Sequence, residues 1–420
     1  MRNKTISVFE HETIFIDGKL LKEEHYKALL KFNDLHGNKY FNAGYNKLTF
    51  KSYVGAIQVG DKVIEILPKA DKGKQKDPDG VRKWQGALLY MLERAGYIRL
   101  NETTKATQDS SKHNLLEIYL YVFLKEVEVL IHKGLLKKYR RAVGNGKALK
   151  GRLLISQQIQ HNLVHKERFY IEHTVYDSNN LFNSVLKKAL IVIAETSGNY
   201  AIKREASRLL IYFDSVNTRF GDVAVLEKIT FDRKSSYYSH AIELAKLIIQ
   251  NYSPDFSAGR HNILAILFDM NKLFEKFVYK CLKRTEKVFA KQKLVVKHQS
   301  KLFWENRNII PDIILTYETL THEEQKIIVD TKWKIISNNT PSDADLKQMY
   351  AYNLQFGAFK SILFYPKTDQ INLGMKEFSI SATGKELKHG CELYFTSLFE
   401  NGNKISDLFA MEFLKQQLIP

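Results

Sequence analysis

Two carboxylates interrupt stretches of sequence that otherwise read as buried strands. One stands in Ile309-Ile310-Pro311-Asp312-Ile313-Ile314-Leu315, the other in Ile327-Ile328-Val329-Asp330-Thr331-Lys332-Trp333. A lone charge in such a run is costly to bury unless something compensates it. Alternation along a strand places Asp330 and Lys332, two residues apart, on one face. If the two runs are neighbouring strands joined by the polar stretch Glu318–Glu324, Asp312 and Asp330 converge and Lys332 stands beside them. Two carboxylates with a backbone carbonyl, that of Thr331, make an oxygen-rich site for Mg²⁺ or Mn²⁺ with room for water and a phosphate oxygen. Such a metal neutralises charge on a phosphate and lowers the pKa of an attacking water, and Lys332 would orient or deprotonate that water. The plainer alternative is a cross-sheet salt bridge between Asp330 and Lys332 with Asp312 solvated at a strand end. Two independently anomalous strands weigh against it.

Two further positions extend the candidate catalytic set. Glu275, in the amphipathic run Met270–Cys281, could aim a carboxylate at the same point, or pair on the helix surface with Lys272 or Tyr279. Gln348 and Tyr352 lie four apart in the helix-like Asp343–Phe356 and so share a face, where they would hold Lys332, touch a phosphate, or simply pack on the sheet.

The elements that must position these residues form a mixed α/β region over 261–420. A helix through Phe274 and Phe277 precedes strand-like Leu294–His298, Ile309–Tyr317 and Gln325–Lys334. The helix Asp343–Phe356 comes next, then strand-like Ser361–Tyr365 and Lys376–Ala382, and a closing helix around Glu392–Phe399. Upstream, residues 1–110 read as β-rich, with Val54–Leu67 forming two strands joined at Gly60-Asp61 and a charged linker at Lys72–Asp79. Helical spacing marks Trp84–Ala95, Leu115–Lys133, Leu181–Glu195 and Ser235–Asn251, so the middle, 111–260, reads as mainly helical. The fold class expected is multidomain α+β: a β-rich N-terminal domain, a helical middle and a C-terminal α/β domain.

Within the middle lies a basic stretch of Lys137, Lys138, Arg140, Arg141, Lys147, Lys150 and Arg152, broken by Gly144, Gly146 and Gly151. It reads as a loop, either simply solvated or gripping phosphates. The expected nucleic-acid contacts are Arg140, Arg141, Lys147 and Arg152, together with Lys334 and Tyr352 near the acidic pair.

Composition agrees with a globular chain that meets polyanions. With 44% hydrophobic and 26% charged residues it is not a disordered sequence, and its net charge of +18 favours nucleic acid as a partner. At 420 residues two or three domains are expected. The only cysteines, Cys281 and Cys391, make no C-x-x-C arrangement, so neither a disulfide framework nor a zinc site is suggested. Met1–Phe15 has no signal-peptide core, and Lys125, Glu126 and Glu128 break the apolar run Glu117–Ile131, so no membrane association and a cytoplasmic location are expected. No G-x-x-x-x-G-K-[ST] run occurs, and His322-Glu323-Glu324 lacks the second histidine of a zinc protease.

These residues resemble a known family. Phe268-Asp269-Met270-Asn271-Lys272-Leu273-Phe274-Glu275, Pro311-Asp312, Asp330-Thr331-Lys332-Trp333-Lys334 and Asp345 through Gln348-Met349-Tyr350-Ala351-Tyr352 are similar to McrC, the nuclease subunit of McrBC and LlaJI-type modification-dependent restriction systems. Weaker echoes are Glu65-Ile66-Leu67-Pro68-Lys69, Leu149-Lys150-Gly151-Arg152-Leu153 and Asn180-Leu181-Phe182-Asn183. The resemblance implies a C-terminal PD-(D/E)xK restriction-endonuclease-like domain with active-site positions Asp312, Asp330 and Lys332. It also implies an N-terminal part that docks on a McrB-type AAA+ GTPase hexamer and stimulates it, so that GTP enters only through the partner, and a substrate of modified DNA. Cutting both strands requires two active sites, hence transient pairing of two copies. The competing readings are a non-catalytic DNA-binding adaptor on the same scaffold and a stand-alone repair nuclease that needs no motor.

Overall fold

The computed structural model describes residues 4–18, 20–69, 77–99, 113–218, 224–253, 262–336, 339–367, 372–379, 388–400 and 404–418. The chain forms two compact units, one of residues 1–4, 58–62 and 116–266, the other of 5–57, 63–115 and 267–420. Both the opening segment expected over 1–110 and the closing one over 261–420 therefore contribute to the larger unit.

In the opening segment β1 (Lys4–Phe9) and β2 (Thr13–Phe15) precede α1 (Glu23–Leu35), and β3 (Phe41–Gly44) and β4 (Lys47–Phe50) complete a small antiparallel sheet in the order β2-β4-β3. The pair expected across Gly60-Asp61 is present as β5 (Tyr53–Val59) and β6 (Lys62–Leu67), with β6 between β1 and β5. The wholly β-like reading of this segment needs correcting, because α1 is a helix. Its buried face is His25, Leu29, Phe32 and Asn33, a 3.6-residue spacing in which two of the four positions are polar, and that hid the period. The linker expected at Lys72–Asp79 lies mostly outside the described residues. Its end, Asp77, accepts a hydrogen bond from Gly80 N and caps α2 (Pro78–Arg94).

The smaller unit is built on α3 (Leu115–His132), β7 (Lys138–Gly146), β8 (Arg152–Leu153), α4 (Ile155–Asn162), β9 (Phe169–Asp177), α5 (Leu181–Thr196), α6 (Tyr200–Leu210), α7 (Ala224–Glu227), α8 (Ser239–Gln250) and β10 (Tyr252–Ser253). Helix α5 buries Val185, Leu186, Ala189, Leu190 and Ile193. Most of the basic stretch read as a loop is a strand: β7 pairs antiparallel with β9 over nine residues, from Lys138↔Asp177 to Gly146↔Phe169, and only 147–151, with Lys147 and Lys150, connect it to β8. Its glycines and charges resemble loop sequence, but its partner, Phe-Tyr-Ile-Glu-His-Thr-Val-Tyr-Asp, supplies the β-branched and aromatic side chains for both. Gly151 sits at φ +68°, and a Cβ there would lie 2.3 Å from the Glu172 carbonyl oxygen, so only glycine lets β8 approach β9.

The closing segment begins with β11 (Ile263–Asp269) and α9 (Met270–Thr285), continues through β12 (Val295–Lys297), β13 (Lys301–Trp304), β14 (Arg307–Ile309), β15 (Ile313–Glu318) and β16 (Glu324–Thr331), then α10 (Asp343–Phe356) and β17 (Lys360–Pro366). β18 (Leu373–Glu377), β19 (Gly390–Thr396), β20 (Phe399–Glu400), β21 (Lys404–Ile405) and α11 (Leu408–Leu418) complete it. A six-stranded sheet runs β12-β15-β16-β17-β19-β18. β15 and β16 are antiparallel, whereas β16, β17 and β19 are parallel, and α10 makes the crossover that a parallel pair requires. One sheet face, with Ile314, Ile328, Leu363 and Tyr365, packs against Met349, Tyr352 and Phe356 of α10. On the other face Phe274 of α9 meets Trp333 and Phe364, and Phe277 meets Phe409 of α11.

The closing helix expected around Glu392–Phe399 is instead the parallel strand β19, and the final helix is α11. A strand buried on both faces reads as a nearly continuous apolar run, which periodicity cannot tell from a helix. Glu392, the charge within it, is buried and ion-paired with Lys360. The strand expected at Lys376–Ala382 is present up to Glu377, and its last residues lie outside the described ones. Among the described residues no helix is long and apolar enough to cross a membrane.

Candidate active site

The β15–β16 register runs Ile313↔Val329, Ile314↔Ile328 and onward, so Asp312 falls one step beyond the last pair, opposite Asp330. Both side chains lie on the sheet face that carries Ile314 and Ile328, the one covered by α10. Pro311 introduces Asp312 and removes a backbone donor where the ladder ends. Asp312 is held in place by Thr331, whose backbone N–H and hydroxyl both donate to Oδ2, at 2.7 and 2.8 Å. Asp330 is 2% exposed. Its Oδ2 lies 2.7 Å from Lys332 Nζ, an ion pair by distance, yet no hydrogen bond of good geometry reaches that oxygen.

Lys332 is the centre of a fixed polar chain. Its Nζ donates to Gln348 Oε1 at 3.1 Å, Gln348 Nε2 donates to Tyr352 OH at 2.7 Å, and Tyr352 OH donates to the Ile310 carbonyl at 2.9 Å. Because the tyrosine gives its only proton to a carbonyl, it must accept from the glutamine NH₂, and the amide oxygen is thereby turned toward Lys332. Residues 348 and 352 thus act together from one face of α10, as their spacing implied, and the helix is fixed by Ser342 at its start and by Gly357 at φ +63° at its end.

The charges explain one another. Burial pushes the Asp330 carboxyl up to about 6, with the Asp312 charge adding to the shift and Lys332 partly offsetting it. Glu275, half-buried on α9, is raised to about 7 by burial and then by Asp312 and Asp330, which brings all three acids within electrostatic reach. Burial works against the charge on Lys332, but Asp330, Asp345 and Asp312 outweigh it and hold the ammonium.

Asp345 was not singled out by type and spacing alone. Buried on α10, it lies 3.5 Å from Lys332 Nζ and 2.5 Å from Lys334 Nζ, and accepts from the Ser342 hydroxyl at 2.7 Å. The signal was present, since Asp345, Gln348 and Tyr352 follow the i, i+3, i+7 spacing of one helix face. Among the described residues no three His, Cys, Asp or Glu side chains form a ready-made metal cage. The oxygens on offer are those of Asp312, Asp330 and the Thr331 backbone.

A family model described as McrBC 5-methylcytosine restriction system component matches residues 48–366, which include every residue of this cluster. The chain belongs to the McrBC family. A chain of the refined half-complex of Thermococcus gammatolerans McrB AAA+ hexamers with bound McrC shares the fold of this McrBC chain, with a TM-score of 0.69 and 19% identity over 99% of this chain and 100% of that one. A chain of the Thermococcus gammatolerans McrBC complex, solved by cryo-electron microscopy, matches 67% of this chain and 88% of its own length, with a TM-score of 0.50 and 23% identity. A comparison with curated proteins returns no match.

The structure brings Asp312, Asp330, Thr331, Lys332, Glu275, Gln348 and Tyr352 of this McrBC chain together in the larger unit. Lys334 is there too, engaged by Asp345, and the Tyr352 ring is buried. Arg140, Arg141, Lys147 and Arg152 belong to the smaller unit. Arg140 forks onto Asp177 through Nε and Nη2, so its charge is committed, while Arg141 is 84% exposed with Glu172 at 3.6 Å. Lys147 and Arg152 are exposed.

Proposed function

We propose that this chain is the McrC-type nuclease subunit of an McrBC-like restriction system, a metal-dependent endonuclease with a PD-(D/E)xK-like site at Asp312, Asp330 and Lys332. The observation that carries the reading is the convergence of Asp312 and the buried Asp330 at the end of the sheet, with Lys332 Nζ 2.7 Å from Asp330 Oδ2. Two carboxylates held together beside one ammonium leave negative charge for a further cation, and hard oxygen ligands suit Mg²⁺ or Mn²⁺. Asp312, Asp330 and the Thr331 carbonyl would hold the ion. When bound, a divalent cation supplies charge neutralisation at the phosphate and a water of lowered pKa.

The protein's own groups do the rest. Thr331 fixes the Asp312 carboxylate, and Gln348, itself fixed by Tyr352, steadies Lys332 at the attacking side. Lys332 would donate to the attacking water or to a phosphate oxygen as the water oxygen bonds to phosphorus and the ester P–O bond breaks; the water gives up one proton and the leaving oxygen takes one up. Glu275, its carboxyl raised to about 7 by burial and by the charges of Asp312 and Asp330, would exchange a proton with that water. One structural relative, from Thermococcus gammatolerans, is a complex of McrB AAA+ hexamers with bound McrC, which supports a GTP-hydrolysing ring as the partner that delivers modified DNA.

The test is cleavage of methylated plasmid DNA with Mg²⁺, GTP and a McrB-type ring. Asp330→Asn and Lys332→Ala should each slow cutting by roughly a hundredfold or more, with GTP hydrolysis by the ring unchanged. Cutting at the unsubstituted rate in either variant contradicts the assignment.

A further inference from the structure

β13 and β14 form a separate two-stranded hairpin that turns at Glu305-Asn306, with Glu305 at φ +48°. Beside that turn stand Leu302, Phe303 and Trp304, which are 63, 59 and 60% exposed. Three consecutive large apolar side chains in water are unusual, and contiguous exposed apolar surface commonly marks a binding site. The base of the hairpin, by contrast, is tied down. Lys301 Nζ donates to the Gln355 carbonyl at 2.8 Å and lies 5.0 Å from the centre of the Phe356 ring, and Gln355 Nε2 donates back to the Leu302 carbonyl at 3.0 Å.

Gln355 and Phe356 belong to α10, the helix that carries Gln348 and Tyr352. The other arm runs directly into the site through Ile310, whose carbonyl receives the Tyr352 hydroxyl, and Pro311 to Asp312. Trp304 pairs with Arg307 across the hairpin. Asp312 lies five residues after Arg307, a span of at most about 18 Å even fully extended. At about 3.4 Å per base pair, the tip stays within roughly five base pairs of a phosphate held at Asp312. Arg307, exposed beside the aromatic pair, supplies a cation for the backbone.

We propose that this hairpin is a DNA-engaging element whose Trp304 indole, flanked by Phe303 and Arg307, stacks on a nucleobase next to the phosphate at the Asp312 site. Aromatic faces accept any base, so the contact positions the strand without reading sequence. The choice of DNA as occupant rests on the nuclease reading above.

Of the three tryptophans, Trp84 and Trp333 are buried, so iodide-accessible fluorescence of the whole chain reports on Trp304. The experiment titrates the chain in low salt and EDTA, where cleavage is blocked, with single-stranded and with duplex oligonucleotides. The expected result is quenching and loss of iodide access on DNA binding. In Trp304→Leu the affinity should fall about five- to a hundredfold, with Trp304→Phe restoring most of it. The relative response to the two oligonucleotides tells whether the ring meets an unpaired base or enters a duplex.

Binding of neither oligonucleotide, binding that leaves Trp304 open to iodide, or unchanged affinity in Trp304→Leu overturns the proposal. A concentration-dependent shielding without DNA, which DNA does not alter, overturns it in favour of contact between two copies of the chain. Stacking in EDTA with no cutting in Mg²⁺, even with the McrB-type ring and GTP, would remove the nuclease reading and leave this one standing.

Discussion

A carboxyl group buried beside a second carboxylate resists losing its proton, and this sets how the site meets a cation. Asp330 titrates at about 6 and Glu275 at about 7, each raised first by burial and then by the neighbouring acids. Below about 6 a proton occupies the Asp330 carboxyl that the proposed metal would take, and below about 7 Glu275 withholds its charge from the site, so metal binding should strengthen as pH rises. Calorimetric titration with Mg²⁺ from pH 5.5 to 7.5 should show affinity climbing, by up to about tenfold per unit for each proton displaced, and levelling above. Glu275→Gln should flatten the upper half of that climb. Binding that is independent of pH across the window would contradict this picture of the acids. Lys332 has a second carboxylate at hand, since Asp345 lies 3.5 Å from its Nζ and would receive the ammonium if Asp330 were engaged by a cation.

Among the elements, β16 matters most, because its end and continuation carry the proposed catalytic pair Asp330 and Lys332 and are anchored from the opening segment of the chain. Trp333 Nε1 donates to Glu10 Oε1 at 2.5 Å, and Lys69 N donates to the same oxygen at 2.7 Å, so the ends of β1 and β6 hold the residue next to Lys332. Glu10 is buried, and burial raises its carboxyl to about 7 despite both hydrogen bonds. A folded-state pKa above the unfolded one means that the folded chain binds the extra proton. This contribution is complete below about pH 4.5 and is lost as pH rises to about 7, on the order of 3 kcal/mol in all. Glu10→Gln keeps an acceptor for both donors and needs no charge. It should melt several degrees above the unsubstituted chain at pH 8 and no higher at pH 4.5, and an equal shift at both pH values would contradict the linkage. This anchor was not legible in the sequence, because it joins positions 323 residues apart. The strands of the site were legible, since β-branched runs with one misplaced acid each have few other uses. β7 and β19 were not, because glycine and arginine imitate a loop and a doubly buried strand imitates a helix.

At the scale of the molecule, the chain passes between two units several times, and both its opening and closing segments are needed to build the unit that holds the acids. No local pattern announces such an arrangement, whereas the family was readable from short motifs inside the matched span. The net charge of +18 suits a protein whose partner is a polyanion, and it makes an intact cluster of three acids the more conspicuous. The account stands on that cluster binding a divalent ion. Electron paramagnetic resonance of Mn²⁺ added to the whole chain at pH 7.5 counts the bound ion directly. A high-affinity site in the unsubstituted chain that disappears in both Asp312→Asn and Asp330→Asn, with the fold retained, is the predicted result, and equal Mn²⁺ binding by all three proteins would contradict it.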